Sequence, residues 1–192
     1  MSSSMILALT SLLSTRNTLR PNLGSQLTIF AIHLVNLIGY EEFDYELDYK
    51  TIDFSIEENR KLYRIGRGEQ GVLLVRPYTN DICNHWRFKT PEIAVESANK
   101  ILSMYLGYMV DGDFIGMDMC RKFLEMGFTR SRRYANHHSG RKYDTKGNIK
   151  PQEEDHDTCK YAKSARIFKK VRDIVAYNDT YKQMRKTWRS NE

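Results

Sequence analysis

Two helices written back to back between residues 90 and 126 set the tightest limit on this chain. In "KTPEIAVESANKILSMYLGYM", Thr90 is placed to cap a helix. Pro91 takes the first helical position, where its missing N–H is no loss, and Glu92 complements the positive end of the dipole. Ile93, Ser97, Ile101, Met104 and Tyr108 fall on one side and predict the inward face. A turn at Asp111 and Gly112 leads to Asp113 as a second cap. "FIGMDMCRKFLEM" then runs as a helix to Gly127, which its tolerance of left-handed backbone predicts as the stop.

The sequence on either side supplies what these helices would pack on. Upstream, "FDYELDY" alternates Phe43, Tyr45, Leu47 and Tyr49 with Asp44, Glu46 and Asp48, and period two predicts a strand with one acidic face. "GVLLVRPY" is a second strand expectation, with Pro77 ending or edging the ladder. Downstream, "YAKSARIFKKVRDIVAY" reads as an amphipathic helix with its stripe at Tyr161, Ala165, Phe168, Val171 and Val175. Residues 180–189 continue as a basic terminal helix or fray. The expected fold is a single small α+β domain over residues 43–192, in which an antiparallel sheet containing residues 43–49 and 73–76 is covered by about four helices.

Residues 1–42 read differently. Up to residue 40 they hold two arginines and no acid, and they are rich in Ser, Thr and Leu, a composition that resembles an organelle transit peptide. The apolar runs at 5–13 and 29–40 are short of the roughly 20 residues that span a bilayer, so no transmembrane segment is expected. The expectation is a poorly ordered or targeting-like extension, with the protein cytoplasmic or delivered to an organelle. Cys83, Cys120 and Cys159 are widely spaced with no CxxC pair, which argues against a disulfide framework and for a reducing compartment.

The formal charge of +6 is unevenly spread. Residues 41–126 carry 11 cations and 16 acids, net −5, and residues 127–192 carry 17 cations and 8 acids, net +9. The basic third opens with "GFTRSRRYANHHSGRKYD". There Thr129 is expected to cap a short third helix whose one face shows Arg130, Arg133, Tyr134 and His137, with Ala135 almost the only small apolar residue opposite. A helix with a cationic face and hardly an apolar one needs an anionic partner. The candidate phosphate or nucleic-acid contacts are Arg130, Arg132, Arg133, Tyr134, His137, Arg141 and Lys142. Arg87 and Lys89 join them just before the Thr90 cap, where cations beside a helix start make a phosphate cradle.

Other chemistries fit less well. "GRGEQG" matches GxGxxG in letters, but a strand expectation follows where a dinucleotide fingerprint needs a helix, and no kinase HRD or DFG accompanies it; a structural turn is the plainer reading. His137 and His138 point to different sides of a helix. "EEDHDTC", with His156, Asp157 and Cys159, lacks the spacing of an EF-hand. No metal site, no cofactor and no catalytic set follow from these residues. A helix-turn-helix around Gly127 is disfavoured because Arg133 and Asn136 stand where that motif seats apolar side chains.

The blocks "FDYELDYKTIDF", "LYRIGRGEQGVLLVRPY", "HWRFKTPEIA", "GDFIGMDMCRKFLEMGFTRSRRYANHHSGRKYD" and "AKSARIF" together resemble an uncharacterised family of small proteins, catalogued as a domain of unknown function in bacteria, viruses and some eukaryotes. The resemblance covers about residues 43–177 and implies no catalytic residue, cofactor or substrate. Three functional expectations stand beside it. The first is non-enzymatic DNA or RNA binding through the basic helix. The second is an enzyme for a phosphorylated small molecule, using Arg64, Arg67, His85, Arg87 and His137. The third is an interaction protein in which Asp44, Glu46 and Asp48 pair with the basic helix.

Overall fold

Helices make nearly all the regular structure of residues 43–191, the part of the chain described by the structure, a computed structural model. The expectations for residues 1–42 lie outside it. In chain order the helices are α1 (Glu57–Arg60), α2 (Tyr78–Cys83), α3 (Pro91–Val110), α4 (Phe114–Asn136), α5 (Lys160–Ala176) and α6 (Asp179–Ser190). Helices α3, α4 and α5 pack on one another in a three-helix arrangement, with α2 on α4 and α6 against α4 and α5. No described helix is long and apolar enough to cross a membrane.

The expected sheet does not exist; among the described residues only two isolated bridges occur, Asp53 with Arg76 and Tyr143 with Ile149. Alternation at 43–49 has a different cause from a pleat. The carboxylates of Asp44 and Asp48 each accept a backbone N–H two residues on, from Glu46 at 2.8 Å and from Lys50 at 3.2 Å, and these side-chain bonds bend the chain where a ladder would extend it. Phe43 and Tyr49 then stack on each other, 4.8 Å between centroids and 13° between planes, while Tyr45 stays exposed. At 71–76 the run Val72 to Val75 is a string of turns, Val72 N–H to Glu69 O at 3.1 Å and Leu74 N–H to Gly71 O at 2.9 Å. Spacing by three buries Val72 and Val75 and exposes Leu73, which is what the apolar run encoded. Pro77, expected to end a strand, instead precedes α2 as its N-cap.

The helical expectations fare better at their starts than at their ends. Thr90 Oγ1 accepts from Ile93 N–H at 3.3 Å and Asp113 Oδ1 from Gly116 N–H at 3.2 Å, both as capping chemistry requires. The inner face of α3 is rotated from the expected one: Ala94, Ser97, Ala98, Ile101 and Tyr105 are buried. Gly127 does not stop α4, and Thr129 caps nothing; the helix runs unbroken to Asn136, and the Thr129 hydroxyl donates to Glu69 Oε2 at 3.0 Å.

Packing explains that glycine. A Cβ at Gly127 would stand 2.4 Å from the Phe168 ring of α5, so its absence lets the two helices approach. Ser131 and Ala135, one and two turns on, are fully buried along the same side. The stretch that looked too polar to enter a core therefore enters it through its smallest residues. Gly107, in the last turn of α3, has open space around its would-be Cβ. Gly107→Ala is therefore expected to stabilise by about 0.5–1 kcal/mol through helix propensity, whereas Gly127→Ala is expected to destabilise by about 1–3 kcal/mol through overpacking, measured by urea unfolding of the two variants.

Candidate functional site

The two basic segments singled out in the sequence meet through aromatic rings. Phe88, from the link between α2 and α3, lies 5.7 Å from Tyr134 near the end of α4, and Tyr134 lies 5.4 Å from Tyr161 at the start of α5. Phe88 and Tyr161 close the triangle at 6.4 Å, and Trp86 backs it 5.1 Å from Phe88. All three rings are half-buried. Cations frame the triangle in sequence: Lys89 follows Phe88, Arg130 and Arg133 precede Tyr134 on α4, and Lys160 lies over the Tyr161 ring at 5.2 Å.

The expected contact residues divide into free and committed groups. Among the described residues no ion pair or side-chain hydrogen bond holds Lys89, half-exposed Arg130 or exposed Arg133. Arg141 and Lys142 are exposed in the loop beyond α4, where Lys142 lies over the Tyr143 ring at 5.5 Å. Arg132 is spent internally. It donates to His156 O at 3.1 Å, Asp157 Oδ1 at 3.2 Å and Asn136 Oδ1 at 2.8 Å, and Arg166 joins the same turn through Asp157 O at 3.0 Å. Arg87 closes the end of α2 on Cys83 O and Trp86 O. His137 is 6% exposed with Nδ1 unpaired, and its backbone N–H ends α4 on Arg133 O; it is a buried side chain and not part of the outer face.

The cradle expected at the start of α3 already holds an anion of its own. Glu92 is kept below the usual carboxylate range by its own backbone N–H, then by the Thr90 hydroxyl, with Lys163 nearby. The loop at Gly66 to Gly71 is a turn: the Phe43 ring fills the space beside Gly71, and Gly68 O accepts both terminal nitrogens of Arg121 at 3.3 Å. Among the described residues no ion pair joins Asp44, Glu46 or Asp48 to the basic helix, and no group of three His, Cys, Asp or Glu stands ready for a metal ion.

Beyond α4 the chain forms a small hairpin. Tyr143 and Ile149 pair across it and both are exposed, and Asp144 holds the turn by accepting from the Lys146 and Asn148 N–H groups at 2.8 and 2.9 Å. Those bonds lower the Asp144 carboxyl, the Asn148 backbone most of all. Arg141, Lys142, Lys146 and Lys150 thus stand on a shaped loop whose single acid is occupied by its own backbone.

A family model described as Domain of unknown function (DUF4385) matches residues 44–191. The chain belongs to that family. No curated protein and no solved structure matches it.

Sequence reasoning missed the DUF4385 domain's most concentrated titratable cluster. Asp118 and Lys122 on α4 are fully buried. Asp118 Oδ2 accepts from Tyr63 OH at 2.5 Å, and Oδ1 accepts from Tyr181 OH at 2.6 Å and Arg121 Nε at 2.9 Å. Each phenol also accepts from a cation, Tyr63 from Lys122 Nζ at 3.0 Å and Tyr181 from Arg121 Nε at 2.8 Å. The spacing Asp118, Arg121, Lys122 on one helix was the visible signal. Its burial was not, because Tyr63 and Tyr181 arrive from distant parts of the chain.

Enclosure makes this cluster a structural tie and sets its titration. Burial raises the Asp118 carboxyl, but Arg121 first, then Lys122 and the two phenols, outweigh it and hold the group far below the usual range. Burial pushes the Lys122 amine down to about 8 against the pull of Asp118, and it pushes Tyr63 and Tyr181 up. A lysine with a lowered folded pKa loses its proton in the native state while the unfolded chain still holds it, so its contribution to stability grows as pH rises above about 8. Above about pH 10 the tyrosines act in the opposite direction, because the unfolded phenols ionise first. The stability difference between the wild type and Lys122→Met is expected to shift toward the wild type between about pH 8 and 10, by up to about 1.4 kcal/mol per pH unit, read by urea unfolding across that range.

Proposed function

We propose that this protein is a non-enzymatic nucleic-acid-binding module that holds a phosphate backbone on the surface around Tyr134. The observation that carries the reading is the Phe88, Tyr134, Tyr161 triangle, which joins the "NHWRFKTPE" and "GFTRSRRYANHHSGRKYD" segments into one face. Lys89, Arg130, Arg133, Arg141 and Lys142 are the phosphate contacts, and Lys163 and Lys170 on exposed positions of α5 extend them. Half-exposed rings among cations suit a single strand, because bases with free faces can stack on tyrosine while the backbone tracks the charges. Arg132 and Arg87 are instead tied to oxygens of the protein itself, and His137 is buried.

Counterion release gives the reading a quantitative signature. Affinity for a labelled single-stranded oligonucleotide, followed by fluorescence anisotropy, is expected to fall steeply between about 50 and 200 mM salt. Arg133→Ala is expected to weaken binding across sequences and to reduce the slope of log K against log salt by about 1, whereas Lys50→Ala, outside the proposed contacts, leaves it unchanged. Absence of binding, or an affinity indifferent to salt, overturns the proposal.

A further inference from the structure

The hairpin beyond α4 grows directly out of the Tyr134 surface. Gly140, at its base, has φ +68° and lies so close to the Tyr134 ring that a Cβ there would stand 2.8 Å from Cζ. Lys150, on the returning limb, donates from Nζ to Ser139 Oγ at 3.3 Å. Beyond that base, Lys150 N–H donates to Lys142 O and Asp144 N–H to Asn148 O, both at 2.9 Å. Tyr143 and Ile149 stand between these two bonds as the directly opposed pair, so their side chains share one face of the ribbon, with Cβ atoms about 5 Å apart.

That face is open to water and set in positive charge. Tyr143 is 54% exposed and Ile149 63%. Arg141, Lys142, Lys146 and Lys150 surround them, and the one acid of the ribbon, Asp144, is engaged by the N–H groups of Lys146 and Asn148. The charge calls for an anionic occupant. Two apolar side chains are too small an area to anchor a bilayer or to carry a stable protein interface of about 800 Å² per partner. They match the flat end of one base pair, an uncharged stacking surface carried between two phosphates.

We propose that the face formed by Tyr143 and Ile149 stacks on the terminal base pair of a duplex whose single-stranded tail lies along the Tyr134 surface, so that the ligand is a junction between duplex and single strand. The inference rests on the nucleic-acid reading of the Tyr134 surface and names its substrate class. Tyrosine supplies a stacking ring, and isoleucine an apolar wedge of the kind that lies against base steps. Arg141 and Lys142 belong to both surfaces and meet the phosphates where the tail leaves the duplex. The ribbon is held by its own bonds before any ligand arrives, which lowers the ordering cost of binding.

Fluorescence anisotropy on the full chain tests the assignment with a single strand, a blunt duplex and duplexes tailed at a 3′ or a 5′ end, each made as DNA and as RNA. A tailed duplex of one polarity is expected to bind about tenfold more tightly than the single strand or the blunt duplex, the effect of one added base stack. Tyr143→Thr, which keeps strand propensity at an exposed position, is expected to abolish that preference while single-strand affinity stays within about twofold, and Tyr143→Phe is expected to retain it. Single-strand binding with no preference for a tailed duplex, or a preference that survives Tyr143→Thr, overturns this assignment and leaves the Tyr134 reading standing; absence of binding to every probe overturns both. Tyr143-dependent binding to vesicles of phosphatidylserine and phosphatidylcholine, in place of a junction preference, gives the face to a lipid surface and overturns the assignment as well.

Discussion

One carboxylate organises this molecule. Asp118 sits fully enclosed on α4 and collects a phenol from the irregular segment before α2, a phenol from α6 and two cations from its own helix. A segment without ladder or helix has no repeating backbone bonds to hold it, so its anchors must be individual polar contacts. Those anchors converge here. Tyr63 OH reaches Asp118, Tyr63 O receives the Trp188 indole, Ile65 O receives Arg189, and Gly68 O receives Arg121. Two cations around one anion leave an excess positive charge in a dry site. Burial, and after it the neighbouring Arg121, lower the Lys122 amine to about 8 against the pull of Asp118, while its Nζ donates to Tyr63 OH.

Around this tie the packing is aromatic and close. Phe43, Tyr49 and Phe54 stack in series, and Phe114 stacks on both Tyr181 and Trp188. Offset and edge contacts of this kind add roughly 0.5–1.5 kcal/mol each beyond area burial, and they fix ring planes as well as positions. One ring also serves outward: Tyr134 is both a packing partner of Phe88 and part of the cationic face.

Local chemistry was legible and long-range partners were not. Thr90, Pro91 and Asp113 announced helix starts because capping involves residues within three positions of each other. The stripe of α5 was legible for the same reason, since Ala165, Phe168, Val171 and Val175 repeat along one helix. The sheet was not legible because the period-two run at 43–49 also carries the turn-forming carboxylates of Asp44 and Asp48, and the β-rich run at 72–75 conceals a spacing of three. The stop at Gly127 was misread because a glycine that permits a turn and a glycine that makes room for a neighbour look alike until Phe168 is placed. At the candidate site, clustering of charge was legible in the sequence. The division into Arg133, facing water, and Arg132, held by Asp157 and Asn136, required the loop that returns from residue 153 to 158.

The line of Gly127, Ser131 and Ala135 bears on more than packing. Gly127, Ser131 and Ala135 form a buried line along this half of α4, while no ion pair or side-chain hydrogen bond among the described residues ties the long side chains of Arg130 and Arg133 to the rest of the fold. Core and surface are thereby separated on a single helix: the inner line sets where the helix lies, and the outer line decides what it meets. The charges on that outer line can be exchanged one by one while the helix keeps its place, so the chemistry this face presents is adjustable without any cost to the fold.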